Sequence, residues 1–175
     1  MHTYYGHMSA VPIYEFFKGI NKRPFIISRS NSVGSGHFAG HWTGDNVANW
    51  EFLRLSINGN FWYQIFGIQM VGSDICGFNE HTSEELCSRW MQLGAFNPFF
   101  RNHNAIRLID QDPGSFSPSV VDSNRRIVEI RYALIPYLYT LFHRVHISGG
   151  TVVRSKRLAK VAACRTLAGA ARSEE

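Results

Sequence analysis

The sequence predicts an α/β fold with about three parallel strands, each followed by a helix, and too few strands to close into a barrel. Three observations carry this. Short apolar runs bounded by turn residues alternate with segments of helical period, the pattern of βα units. Each apolar run ends in a charged or polar residue, as expected where function gathers at the C-terminal ends of parallel strands. Hydrophobic residues make up 45% of the 175-residue chain and aromatics 14%, which is too apolar for disorder and enough for a core.

Taken in order, "MSAVPIYEFFKGI" (8–20) has apolar positions at helical spacing, and Gly19 suits its end. "RPFIIS" (23–28) reads as a buried strand between Pro24 and Ser28. Residues 29–46 include "GHFAGHWTGDN", too glycine-rich for a helix interior, where each glycine costs about 1 kcal/mol against alanine. We read this segment as a loop, the setting where chemistry concentrates on rigid scaffolds. Residues 48–60 return to helical period through Trp50, Leu53 and Ile57. "FGIQMVGSDI" (66–75) reads as a second buried strand. "TSEELCSRWMQLGA" (82–95) reads as a helix opened by a capping box of Thr82 and Glu85. "AFNPFFRNH" (95–103) supplies a third strand or strand end. Residues 122–147 form a long apolar helix with a kink expected at Pro136.

The polar residues fall in phase with the strand ends. Arg29 follows "FIIS", Asp74 follows "QMVGS", and Arg101 and His103 follow "NPFF". The loop carrying Trp42 and Asp45 leaves the same edge as Arg29. These groups are expected on one rim.

Charge divides the chain. The formal net charge is +5. Residues 151–175 hold six Lys/Arg and two acids, whereas the first 150 are nearly neutral and contain all the aromatics. A basic surface for nucleic acid is therefore not expected on the globular part, and residues 155–175 are set apart from 1–154 as a divergent basic tail, disordered or weakly helical. No apolar run is long enough for a membrane span. "MHTYYGHMSAVPIYEFF" lacks a basic stretch followed by an apolar core, so no secretory signal is read there. The localisation is left open. The pairs His37/His41 and His143/His146 have no Cys or carboxylate companion at ligand spacing, so neither a metal nor another cofactor is expected.

"RPFIISRS", "AGHWTGDN", "GSDICGF", "EELCSRWMQLGAFNPF" and "RNHN", in this order and at these intervals, resemble the second half of the catalytic barrel of the retaining α-glucosidases of glycoside hydrolase family 31. The likeness runs from about Tyr4 to Arg154. It implies a partial (β/α)8 TIM barrel that three strands cannot close, since a full barrel needs eight. It also implies an α-glucoside or oligosaccharide as substrate. By position Asp45 takes the role of general acid/base. Such an acid must hold its proton at working pH, which a poorly hydrated aromatic neighbour favours; Trp42 is expected to be that neighbour and a face for a sugar ring. Arg29, Asp74 and His103 match residues that contact the glucosyl unit, and Phe78 matches an aromatic of the subsite wall. Arg101 is read as a structural ion-pair residue.

A retaining mechanism uses two carboxylates about 5–5.5 Å apart. The family's nucleophile lies in a Trp-x-Asp-Met-type motif, which this sequence does not contain. Three readings follow: an α-glucosidase fragment, a non-catalytic carbohydrate-binding or interaction protein of that descent, or a product without an independent fold. Strand edges and an inner face left bare invite chaperone binding or self-association.

Cys76 and Cys87 match a disulfide pair of secreted family members, with two buried free thiols as the alternative. No Asn-x-Ser/Thr sequon occurs. Two departures stand out. Asn31, Ser32, Val33 and Gly34 occupy positions where the family has a threonine and a small run. "SKRLAKVAACRTLAGAARSEE" replaces a Pro-Leu segment leading into a β-domain, as an out-of-frame or alternatively spliced end would.

Overall fold

A computed structural model describes residues 4–155. The divergent tail, assigned to 155–175, lies outside the described residues except for Ser155.

The elements run α1 (Tyr5–Gly19), β1 (Ile27–Ser28), a 3-10 turn (Ser35–His37), β2 (Gly40–Trp42), α2 (Trp50–Ile65), β3 (Val71–Gly72), β4 (Asp74–Ile75), α3 (Glu84–Gly94), β5 (Arg101–Asn102) and α4 (Pro118–Ser148). All strand pairs are parallel. β2 lies between β1 and β3, and β4 pairs with β5. The chain thus forms part of a TIM barrel, with parallel strands, covering helices and no closed sheet.

The helix starts follow local chemistry. Asn49 caps α2 by accepting from the Phe52 N–H at 2.8 Å. α3 is capped by Ser83, which accepts from the Leu86 N–H at 3.3 Å. Ser83 takes the position expected of Thr82, because its extended backbone (φ −103°, ψ 157°) aims the hydroxyl at the open first turn. Glu84 and Glu85 follow in that turn, where the helix dipole favours negative charge. α4 begins at Pro118, ends before Gly149, and continues through Pro136 as one helix.

The strands differ from expectation in three ways. "RPFIIS" is not a buried strand: only Ile27 and Ser28 pair, both are half-buried, and Phe25 is 68% exposed. The reason is that β1 is an edge, bonded to β2 alone. Residues 66–75 are not one strand. Phe66 and Gly67 finish α2, and the ladder changes partner at Ser73, with β3 facing β2 and β4 facing β5. Finally, "GHW" inside the supposed loop is β2 itself.

The core lies between β4, α3 and α4. Ala48, Ile75, Cys76, Leu86, Cys87, Trp90 and Met91 form it, with Phe52, Leu53, Phe100, Phe116 and Val128 packed around. Cys76 and Cys87 are joined as a disulfide across this core. α2 turns an unexpected face inward. Its buried stripe is Ser56, Asn60 and Gln64, while Trp50 and Trp62 are exposed. The polar stripe is satisfied from elsewhere: Asn60 Nδ2 donates to Asn97 Oδ1 at 2.7 Å, and Gln64 Oε1 accepts from the Val152 and Val153 N–H groups at 2.9 and 3.0 Å. Large apolar residues stay uncovered on the helices, among them Tyr5 and Phe16 on α1 and Tyr132, Tyr137 and Tyr139 on α4.

Candidate active site

The strand ends bring most of the expected residues together. Asp74 opens β4 and is fully buried. Its Oδ1 accepts the Trp42 indole N–H at 2.7 Å and an Arg101 N–H at 2.9 Å. Trp42 ends β2, and Arg101 opens β5. The Arg101 guanidinium also lies 5.1 Å over the Trp42 ring and 5.4 Å over Phe99. Arg101 is thus an ion-pair residue, as read.

Asp45 stands two residues past Thr43, whose N–H bonds to the Gly72 carbonyl at 3.0 Å and carries the β2–β3 ladder one step further. Its carboxylate pairs with Arg29 at 3.1 Å, and Arg29 sits 5.6 Å from the Trp42 ring centre. The group paired with the Asp45 carboxylate is Arg29 rather than the indole N–H. The indole N–H is turned to Asp74, because a buried carboxylate must find donors, and a half-exposed guanidinium meets Asp45 instead. Gly44 separates the two. A Cβ at Gly44 would lie 2.2 Å from the indole nitrogen and 2.3 Å from Asp74 Oδ2, so no side chain fits there. That is one reason for glycine beside the acid in the "HWTGD" segment.

Phe78 and His103 form the outer part. Their rings lie 5.1 Å apart, tilted by 35°. His103 is exposed, and Phe78 is half-buried.

Asn46 and Asn79 escape sequence reasoning, and His41 and Asn31 enter it without the roles that the structure gives them. Asn46 is buried and bonds through its side chain to the Asp74 backbone. Asn79 donates to the Asp45 carbonyl at 2.9 Å. His41 is buried on β2, stacked on Tyr63 with ring centres 3.9 Å apart, and touched at Nδ1 by the Asn31 amide. Burial pushes the His41 imidazole down to about 4, partly opposed by its hydrogen bond with the Ser28 backbone. The same burial pushes the Tyr63 phenol up. The available signal was weak. Asn31 was visible only as a departure at the former threonine position, and Asn46 only as an amide directly after the acid. Among the described residues, no group of three or more His, Cys, Asp or Glu is placed to hold a metal ion, and no helix is long and apolar enough to cross a membrane.

Two carboxylates, two arginines and a tryptophan thus gather where β1 and β2 end and β4 and β5 begin, on part of a TIM barrel. Residues 1–141 match the sequence model of the glycosyl hydrolases family 31 TIM-barrel domain, and the chain belongs to glycoside hydrolase family 31. It is similar to an alpha-glucosidase of Aspergillus oryzae, 49% identical over 157 residues, covering 89% of this chain and 16% of that protein. It is likewise similar to the lysosomal alpha-glucosidase of Bos taurus, 48% identical over 155 residues, covering 88% and 16%. Among solved structures it resembles the family 31 alpha-glucosidase from Bacteroides thetaiotaomicron with a TM-score of 0.80 and 35% identity, covering 85% of this chain and 26% of that one. The chain thus spans about a sixth of the length of these two curated relatives.

Proposed function

We propose that this chain carries the acid/base and sugar-binding half of a retaining α-glucosidase site, with Asp45 as general acid/base, and that residues 1–175 alone do not hydrolyse glycosides. Arg29, Trp42, Asp74 and His103 hold the glucosyl unit in this reading, with Phe78 at the subsite wall. The observation that carries it is the joined cluster Arg29–Asp45 and Trp42–Asp74–Arg101 at adjoining strand ends.

Retention needs a second carboxylate as nucleophile, and Asp74 is poorly suited to that work. It is fully buried, and one oxygen already accepts from both an indole and a guanidinium. Its restraint also favours a second reading, a non-catalytic carbohydrate-binding role. The uncovered apolar residues of α1 and α4 favour self-association or chaperone capture of the isolated chain.

The test is hydrolysis of a chromogenic α-glucoside by purified residues 1–175. No release above buffer is expected. Turnover abolished by Asp45→Asn would sink the proposal and require an unrecognised nucleophile.

A further inference from the structure

The loop that carries Asp45 and the strand that Asp74 opens are not neighbours in a continuous sheet. β2 pairs with β3 as far as Trp42 and Gly72. Beyond Ser73 the chain turns its ladder to β5, and Asp74 pairs with Arg101. At that point the backbone of Asp74 has lost its partner on the β2 side.

Asn46 replaces it. The residue is 5% exposed. Nδ2 donates to the Asp74 carbonyl at 2.9 Å, and Oδ1 accepts from the Asp74 N–H at 3.0 Å. One amide thus makes both bonds that a neighbouring strand would make. The Asn46 carbonyl accepts from the N–H groups of Phe78 at 2.7 Å and Asn79 at 3.0 Å. Asn79 returns the contact, its side chain donating to the Asp45 carbonyl at 2.9 Å and its carbonyl accepting from the Ala48 N–H at 2.9 Å.

We propose that Asn46, with Asn79 in support, is a positioning residue that fixes the Asp45 carboxylate relative to Asp74 and the Trp42 indole. The proposal rests on the reading of Asp45 as acid/base and Asp74 as sugar contact. The chemistry requires an amide at position 46. Asp lacks the donor for the Asp74 carbonyl, and Ala removes the side-chain acceptor of the buried Asp74 N–H and leaves the carbonyl only the Gly77 N–H, at 3.2 Å. The clamp matters because a displacement of about 1 Å between reacting groups costs about a hundredfold in rate.

The test uses the full chain at 10 °C and follows the indole N–H signal of Trp42, assigned by its loss in Trp42→Phe. That proton bonds to Asp74 Oδ1 and reports whether Asp74 stays in place. In Asn46→Ala it is expected to shift and to exchange with solvent at least about tenfold faster. Asn60→Ala removes an equally buried amide bond away from the site and is expected to leave exchange within about twofold. Binding of deoxynojirimycin, a glucose-shaped cationic iminosugar, is expected to weaken at least about tenfold in Asn46→Ala. A folded Asn46→Ala with the Trp42 signal, its exchange and iminosugar binding unchanged overturns the clamp, as does an equal response to Asn60→Ala. Where Asn46→Ala does not fold, Asn79→Ala decides, since Asn79 is exposed: weaker iminosugar binding with a shifted Trp42 signal supports the clamp, and no change in either overturns it. If the wild-type chain binds no iminosugar, the sugar-site reading fails while the Trp42 signal still decides the clamp.

Discussion

Arg101 and Asp74 form an asymmetric ion pair: the N–O distance is 2.9 Å, the aspartate side chain is fully buried and the arginine side chain remains 40% exposed. The arginine head keeps part of its hydration, while the aspartate has given up all of its own. Removing Arg101 therefore strands a buried charge whose remaining donor is the Trp42 indole. Arg101→Met is expected to destabilise the fold by about 2–4 kcal/mol, below the full range for a wholly buried pair because one partner stays wet. Urea denaturation measures it. A loss under about 0.5 kcal/mol, the size of an ordinary surface change, would show that the indole alone satisfies Asp74.

The disulfide gives a second expectation. Cys76 and Cys87 close a loop of sequence separation 11 across the core. In the chain-entropy account such a link stabilises by about 2.5–3 kcal/mol. Thermal melts with and without reductant should differ accordingly, and Cys87→Ser should match the reduced protein. Coincident melts would mean that the bond adds no net stability.

Acid should weaken the fold through His41. Its folded value of about 4 lies below the ordinary imidazole value of 6.5, so between those limits the unfolded chain binds the extra proton. The stabilisation is complete above about pH 6.5 and is lost as pH falls through 4. The loss reaches at most about 3 kcal/mol. Melts at pH 7 and pH 4.5 test this against His41→Gln, whose stability should fall less over the same interval. An equal fall in both proteins would assign the acid sensitivity elsewhere.

The fourth expectation concerns the uncovered surface. Each Å² of apolar area left wet forgoes about 25 cal/mol, and a domain has only about 5–15 kcal/mol of net stability. With Phe25, Tyr132, Tyr137 and Tyr139 in solvent, the isolated chain should melt broadly and at low temperature. Size-exclusion chromatography with a thermal melt checks it. A monodisperse monomer with a sharp transition above about 50 °C, in the ordinary mesophile range, would show that these strands and helices make a self-sufficient core.

What could be read from the sequence divides along a physical line. The helices were legible because their apolar period is a local signal, although α4 starts at Pro118 rather than 122 and α3 is capped by Ser83 rather than Thr82. The place of Arg29 just past β1 was legible for the same reason, whereas Asp74 and Arg101, expected after strands, open β4 and β5. β2 was not, because "GHW" has little strand propensity and is held by neighbours on both sides, β1 and β3. The inward face of α2 was misread because Asn60 and Gln64 draw their partners from Asn97, Val152 and Val153. Nor could the sequence say which group Trp42 would serve. That depended on Asp74, 32 positions away, lying closer to the indole nitrogen than its near neighbour Asp45.

The Gln64 contacts also bear on how the chain is made. Gln64 Oε1 waits for the N–H groups of Val152 and Val153, 88 and 89 positions downstream. During synthesis α2 emerges long before those donors leave the ribosome. Contacts of such separation form late, after loop closure has been met. The polar layer under α2 is therefore finished only from the far end of the described chain, and a nascent polypeptide halted before Val152 holds Gln64 without these partners.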